Sequence, residues 1–340
     1  MTARFPPLAF LTLSFFASAC GGGGGPTTPP PVATHAVGIA LFYDENGNGA
    51  LDASENVRIP AATVEIGGKQ GRTAPATGEV IIDGVTAGQH TITVRAATLP
   101  AFYVAPAPAA VVVPQTAGTA FIPVTLPIGS NRPNVYLGFG DSITAGDGSS
   151  DGMGYVLRLQ RKLQAHYGRA TLIKDGFSFG RSNAGAVRLG DSLTVRPAYT
   201  LIHYGTNDWN AGECKFNPPC FTIEALRSMV AAVKGRQGLP VLATIIPANP
   251  AHGDYTPARN AWVAAMDVRI RDLARAEGAL LADQEAAFKA APSLPALFSD
   301  HVHPSDAGYE IMAQTFFDAI TRPVPAATTR FGGPSLFTAP

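Results

Sequence analysis

At 340 residues the chain is too long for one average domain and suits two, with segments added at its ends. A hydrophobic fraction of 46% against 15% charged residues allows a sizeable core and excludes global disorder. The 25 basic and 25 acidic side chains cancel, so no chain-wide positive field exists to hold nucleic acid or an anionic membrane, and no nucleic-acid partner is expected.

The chain opens with Arg4, an apolar run from Phe5 to Ala19, and the small residues Ala17, Ser18 and Ala19 directly before Cys20. Residues 1–19 read as an export signal; the run is too short for a spanning helix and ends in Gly21 to Gly25. Small residues leading into a cysteine resemble the bacterial lipobox, with Ala17 where Leu is usual. That resemblance implies cleavage before Cys20 and lipidation of its thiol, hence a membrane-anchored lipoprotein at the outer membrane or cell surface. The membrane would then be met through the lipid anchor only. Ordinary cleavage would give a secreted soluble protein instead. Residues 20–33 are Gly- and Pro-rich and read as a tether.

Residues 34–127 carry short runs rich in Val, Ile and Thr: Val37 to Tyr43, Ala62 to Ile66, Val80 to Ile82, Thr91 to Arg95, Val111 to Val113 and Phe121 to Leu126. Turn residues punctuate them and no helical period runs through them, so the expectation is a small all-β sandwich. Between the first two runs, Asp44, Asn46, Asn48, Asp52 and Glu55, with Gly49, reproduce the ligand spacing of a calcium loop. A strand precedes the loop where an EF-hand has a helix. The neighbourhood resembles the Cna-B or SdrD B-like repeats of bacterial surface proteins, which implies a structural calcium; the alternative is an unliganded Asx-rich turn.

Residues 128–133 read as a linker. Over 134–321 strands and helices alternate: Val135 to Phe139, Thr171 to Lys174, Thr200 to Tyr204 and Val241 to Ile246 as strands, with helical stripes through Tyr155 to Leu163, Leu226 to Val233, Val263 to Leu273 and Tyr309 to Ile320. This is the pattern of an α/β fold with a parallel, doubly wound sheet, whose sites lie outside the carboxyl ends of the strands. Residues 322–340 form a Pro- and Gly-rich tail expected to be loose. With Cys20 set aside, Cys214 and Cys220 form an even pair, expected as a disulfide in an oxidising compartment.

Chemistry-bearing residues gather at the predicted strand ends. Gly140-Asp141-Ser142 delivers a hydroxyl after the first α/β strand. Asp300 and His303 share one loop before Ser305, a candidate N-cap. A serine becomes a nucleophile when a base takes its proton and a third group fixes that base, so Ser142, His303 and Asp300 are the candidate catalytic residues, with His301 as the competing base. Gly205-Thr206-Asn207-Asp208 follows another strand, and Asp175 to Ser182 a further one. Asn207 and Gly180 are candidate oxyanion donors.

In this order the four segments resemble the blocks of the SGNH/GDSL hydrolases: Gly140-Asp141-Ser142 the first, Gly180 the second, Gly205 to Asp208 the third, and Asp300 to His303 the Asp-x-x-His of the last. The resemblance implies a flavodoxin-like three-layer α/β/α fold and an oxyanion hole from the Ser142 and Gly180 N–H groups and the Asn207 side chain. Asp175 replaces the usual Asn of the second block, and its widened glycine stretch leaves Gly176 as an alternative to Gly180. No cofactor is expected for catalysis. The implied activity is carboxylic ester hydrolysis through an acyl-enzyme, on a small ester, an acylated lipid or an acetylated polysaccharide. The competing reading is a surface binding or adhesion lipoprotein whose hydrolase-like domain is silent.

Overall fold

A computed structural model describes residues 32–323. The expected signal peptide, Cys20, almost all of the tether and nearly all of the tail lie outside the described residues. Among those described, no helix is long and apolar enough to cross a membrane.

The first part is β-rich. Strand β1 (Thr34–Tyr43) lies between β4 (Glu79–Thr86), antiparallel, and β7 (Ala120–Val124), parallel. Strands β2 (Thr63–Ile66), β3 (Lys69–Arg72), β5 (Gly88–Val94) and β6 (Ala109–Val113) form a second sheet in the order β3-β2-β5-β6. β3 was not expected: Lys69-Gln70-Gly71-Arg72 has no apolar alternation, and pairing with β2 makes it a strand. Val37, Ile39, Leu41, Val64, Ile92, Val113, Ile122 and Val124 bury the face between the sheets.

The second part is an α/β layer structure. Five parallel strands, β8 (Arg132–Gly140), β9 (Thr171–Gly176), β10 (Pro197–His203), β11 (Leu239–Ala243) and β12 (Leu280–Ala282), stand in the order β12-β11-β10-β8-β9. Counted along these five, the order is 2-1-3-4-5, so the chain reverses its winding between β8 and β10, and the crevice outside that pair is where such sheets carry their sites. After β8 a short helix α1 (Ser142–Ala145) leads to α2 (Gly154–Tyr167). Helix α3 (Ser182–Ser192) follows β9; α4 (Gly212–Phe216) and α5 (Thr222–Gly235) follow β10. Then come α6 (Pro257–Glu277), α7 (Gln284–Lys289) and α8 (Asp306–Thr321).

Leu189, Leu226, Met229, Met266 and Ile270 cover one face of this sheet through α3, α5 and α6. Leu159, Leu163, Phe288, Tyr309 and Phe316 cover the other through α2, α7 and α8, and that apolar cluster continues into the β-rich part. Tyr43 packs edge-on against Tyr103 at 5.7 Å, and Tyr103 lies 6.3 Å from Tyr167 at the end of α2. Asn134 Nδ2 donates to Glu45 Oε1 at 2.8 Å.

These contacts correct the linker reading of 128–133. Ile128 and Asn131 are buried, Asn131 Nδ2 donates to the Arg236 carbonyl at 2.7 Å, and β8 already begins at Arg132. The segment is part of the packing.

Candidate active site

The nucleophile candidate is placed by the end of β8. Asp141 caps α1, its Oδ1 accepting the Ile143 N–H at 3.0 Å, so Ser142 becomes the first helical residue. The N–H of such a residue has no acceptor inside its own helix. Asp141 is fully buried. Burial pushes its pKa up to about 7, above what its backbone hydrogen bond pulls down, with Asp208 adding to the rise.

The base candidate comes from the loop before α8. Asp300 Oδ1 accepts the backbone N–H of Val302 at 2.8 Å and of His303 at 2.7 Å, an Asx-type turn that folds the loop back on itself. Asp300 Oδ2 lies 2.6 Å from His303 Nδ1, and His303 Nε2 lies 2.9 Å from Ser142 Oγ. With the proton on Nδ1 facing the carboxylate, Nε2 carries the lone pair that accepts the serine O–H; this tautomer is the one the hydrogen bonding selects. Partial burial works to raise the Asp300 pKa, but the hydrogen bonds from the His303 backbone and ring and from Val302 outweigh it and hold the carboxylate below its ordinary value.

Two further contacts hold the loop against α1. Tyr309 Oη donates to the Asp147 carbonyl at 2.6 Å. Gly148, at φ +90°, leaves room for His303: a Cβ there would sit 2.3 Å from Ser299 Oγ and 2.9 Å from His303 Cβ. His301, the competing base, is 3.8 Å from Asp300 Oδ1 through its Nδ1, and its carbonyl accepts the Asn249 N–H at 2.9 Å. The ring bonded to Ser142 is that of His303.

The remaining donors are arranged differently from expectation. Asn207 Nδ2 donates to the Gly180 carbonyl at 3.1 Å, which joins the loops after β10 and β9 and leaves its second amide proton free for another acceptor. The Gly180 N–H is taken: it donates to the Phe177 carbonyl at 2.9 Å across a turn in which Phe179 stands at φ +64°. Gly180 is therefore a ready oxyanion donor only once that turn bond opens. The alternative, Gly176, is a packing residue, since a Cβ there would lie 2.0 Å from the Ala145 nitrogen.

Sequence reading missed the strut under Asn207. Asp208, fully buried, accepts the Ser182 N–H at 2.9 Å through Oδ1, and the hydroxyls of Ser182 at 2.6 Å and Thr222 at 2.8 Å through Oδ2. One carboxylate thus ties the Asn207 turn to the first residues of α3 and α5. It lay in the Gly205 to Asp208 segment, but its partners are 26 and 14 residues away, beyond any local signal. Arg259 adds a second prop, its guanidinium donating to the Thr206 carbonyl at 2.9 Å.

Cys214 and Cys220 are bonded as a disulfide in the loop that follows Asn207, and Trp262 Nε1 anchors it through the Cys214 carbonyl at 2.9 Å. In the Asp44 loop, Asp44 accepts the N–H groups of Gly47 and Gly49, and Glu55 those of Glu45 and Asp52. Asn46 and Asn48 both donate to Asp52 Oδ2. The loop is closed on itself by its own hydrogen bonds, yet each Asp44 and Glu55 oxygen accepts only one of them and retains a further lone pair, so the donor set fits an oxygen-seeking cation.

Comparison with known proteins adds a family match. The GDSL-like Lipase/Acylhydrolase family matches residues 139–311, just over half the chain. Among solved structures, an acetylxylan esterase from Geobacillus stearothermophilus is 25% identical over 56% of this chain and 95% of that one, with a TM-score of 0.46. An α/β hydrolase enzyme from the metagenome of Lake Arreo, Spain, is 24% identical over 56% and 96%, with a TM-score of 0.45. A protein of the G-D-S-L family from Desulfitobacterium hafniense is 20% identical over 55% and 99%, with a TM-score of 0.46. No curated protein matches the sequence.

Proposed function

The chain belongs to the GDSL-like lipase/acylhydrolase family, and from that premise we propose that it is a serine carboxylic ester hydrolase working through an acyl-enzyme. The observation that carries the reading is the continuous line Asp300 Oδ2, His303 Nδ1, His303 Nε2, Ser142 Oγ, with steps of 2.6 and 2.9 Å.

Ser142 Oγ attacks the ester carbonyl while its proton passes to His303 Nε2, and the Asp300 carboxylate stabilises the imidazolium. The carbonyl oxygen becomes negative and is met by the Ser142 N–H and the free amide proton of Asn207, with the Gly180 N–H joining on release from Phe177. Collapse breaks the bond to the alkoxy group, which takes the proton from His303 and leaves as alcohol. Water then gives its proton to His303, attacks the acyl carbon, and the proton returns to Ser142 as the carboxylic acid departs. No metal or organic cofactor has a part in this sequence. The substrates are esters of a carboxylic acid, whether small, lipid or acetylated polysaccharide.

The test is turnover of p-nitrophenyl acetate together with labelling by a fluorophosphonate. Ser142→Ala is expected to abolish both, with the wild-type adduct mapping to Ser142 by mass. Full turnover by that variant would overturn the reading.

Export and Cys20 lipidation belong to the same proposal, with the Arg4 to Cys20 sequence as their support. Calcium on Asp44, Asn46, Asn48, Asp52 and Glu55 is proposed as a structural ion: adding it is expected to raise the melting temperature and EGTA to reverse the gain. An unchanged melting temperature would count against it.

A further inference from the structure

Close to Asp300, whose Oδ1 lies 3.8 Å from His301 Nδ1, three donors converge that the ester chemistry does not use. We propose that His252, Asp254 and His301 form a binding site for a divalent transition-metal ion of the zinc class. One ligand atom from each lies within 4.8 Å of the others. Two imidazoles and one carboxylate suit zinc, nickel or copper and discriminate against magnesium and calcium, which prefer all-oxygen sites.

The backbone under the cluster is fixed. Asn249 staples the two loops, its N–H donating to the His301 carbonyl at 2.9 Å and its Nδ2 to the Asp300 carbonyl at 3.2 Å. The turn that follows brings His252 back over His301, their ring centroids 5.6 Å apart. Its shape is held by the Ala251 N–H on Asn249 Oδ1 at 3.0 Å and the Tyr255 N–H on the His252 carbonyl at 3.0 Å. His252 Nδ1 accepts the Asp254 N–H at 3.2 Å and stands 3.7 Å from Asp254 Oδ2, which ties the ring to the turn and leaves Nε2 as its other ring nitrogen.

Tetrahedral zinc with bonds near 2.0–2.1 Å needs its ligands roughly 3.3 Å apart, so the three donors must close slightly. Side-chain rotation can supply that, because Asp254 is 77% exposed and His252 37%. The carboxylates of Asp254 and Asp300 stand near His301, with the Arg259 guanidinium and the His252 ring as the opposing groups. Asp300 Oδ1 lies 3.8 Å from His301 Nδ1, beyond hydrogen-bonding reach, and is already engaged by the Val302 and His303 N–H groups.

The experiment is zinc titration by calorimetry on untagged, metal-stripped protein, comparing wild type with Ser142→Ala, His252→Ala, Asp254→Asn and His301→Ala. Wild type and Ser142→Ala are expected to bind one ion per chain equally, so this result stands apart from whether the chain is an esterase. Each histidine variant should bind at least about tenfold more weakly. If His301→Ala does not fold, His252→Ala and Asp254→Asn, both altered on the exposed turn alone, decide the matter. No binding in millimolar zinc, or binding undiminished in the folded variants, overturns the proposal.

Discussion

Ser142 and His303 are far apart in sequence yet share a hydrogen bond of 2.9 Å, and each is positioned by the carboxylate of a nearby aspartate, Asp141 as the cap of α1 and Asp300 as the hub of its turn. The spacing Asp-x-x-His was legible because the turn is local: a carboxylate three residues ahead of an imidazole can bond both its backbone and its ring. Gly180 was not, because whether its N–H is free depends on a turn through Phe179, a residue whose sequence gives no hint of a left-handed backbone. On the proposed mechanism, with Gly180 engaged, the oxyanion would depend on the Asn207 side chain. Asn207→Ala is expected to lower kcat about a hundred- to a thousandfold, roughly 2.7 to 4 kcal/mol of barrier. Steady-state kinetics on p-nitrophenyl acetate checks this, and an unchanged kcat would remove Asn207 from the site.

At the level of elements, the α/β strands with runs of Val, Ile and Leu and the helices with apolar stripes were legible, since both patterns are set by burial on the sheet. The missed elements lack such runs. β12 has only Leu280, Leu281 and Ala282, and α3, Ser182 to Ser192, contains Gly185, Gly190 and Asp191, so its helicity comes from docking on α5 and from Asp208 at its start. Asp208 therefore matters beyond its own turn. Asp208→Ala would leave the Ser182 N–H and two buried hydroxyls without their acceptor, at a cost of about 3 kcal/mol or more, while loosening Asn207. Both a lower urea midpoint and a reduced kcat are expected; a stable variant with full activity would show that the strut is dispensable.

Among the described residues one core runs from the β-rich part to the α2 and α8 face of the parallel sheet, which the sequence concealed because Pro127 to Pro133 has the composition of a free connection. Composition reports what a segment can do when unpacked; it carries no information on what Ile128 and Asn131 meet. Global stability should also depend on pH through Asp267 of α6, a fully buried carboxyl whose Oδ1 accepts the Ile245 N–H at 2.8 Å. Burial raises its pKa from 3.8 to about 9 against the pull of that hydrogen bond. The folded state thus keeps a proton that the unfolded chain gives up above pH 3.8, so this group's contribution is complete below that value and declines as pH rises towards 9. Asp267→Asn, which cannot ionise, is expected to flatten that decline and melt higher than wild type at pH 9. Parallel melting curves across that range for both proteins would refute the assignment.

The separation of 161 positions between the hydroxyl and the imidazole also sets a timetable. On the proposed mechanism Ser142 is inert until the loop before α8 brings His303 to it, so a polypeptide that stopped short of that loop would hold the nucleophile without its base.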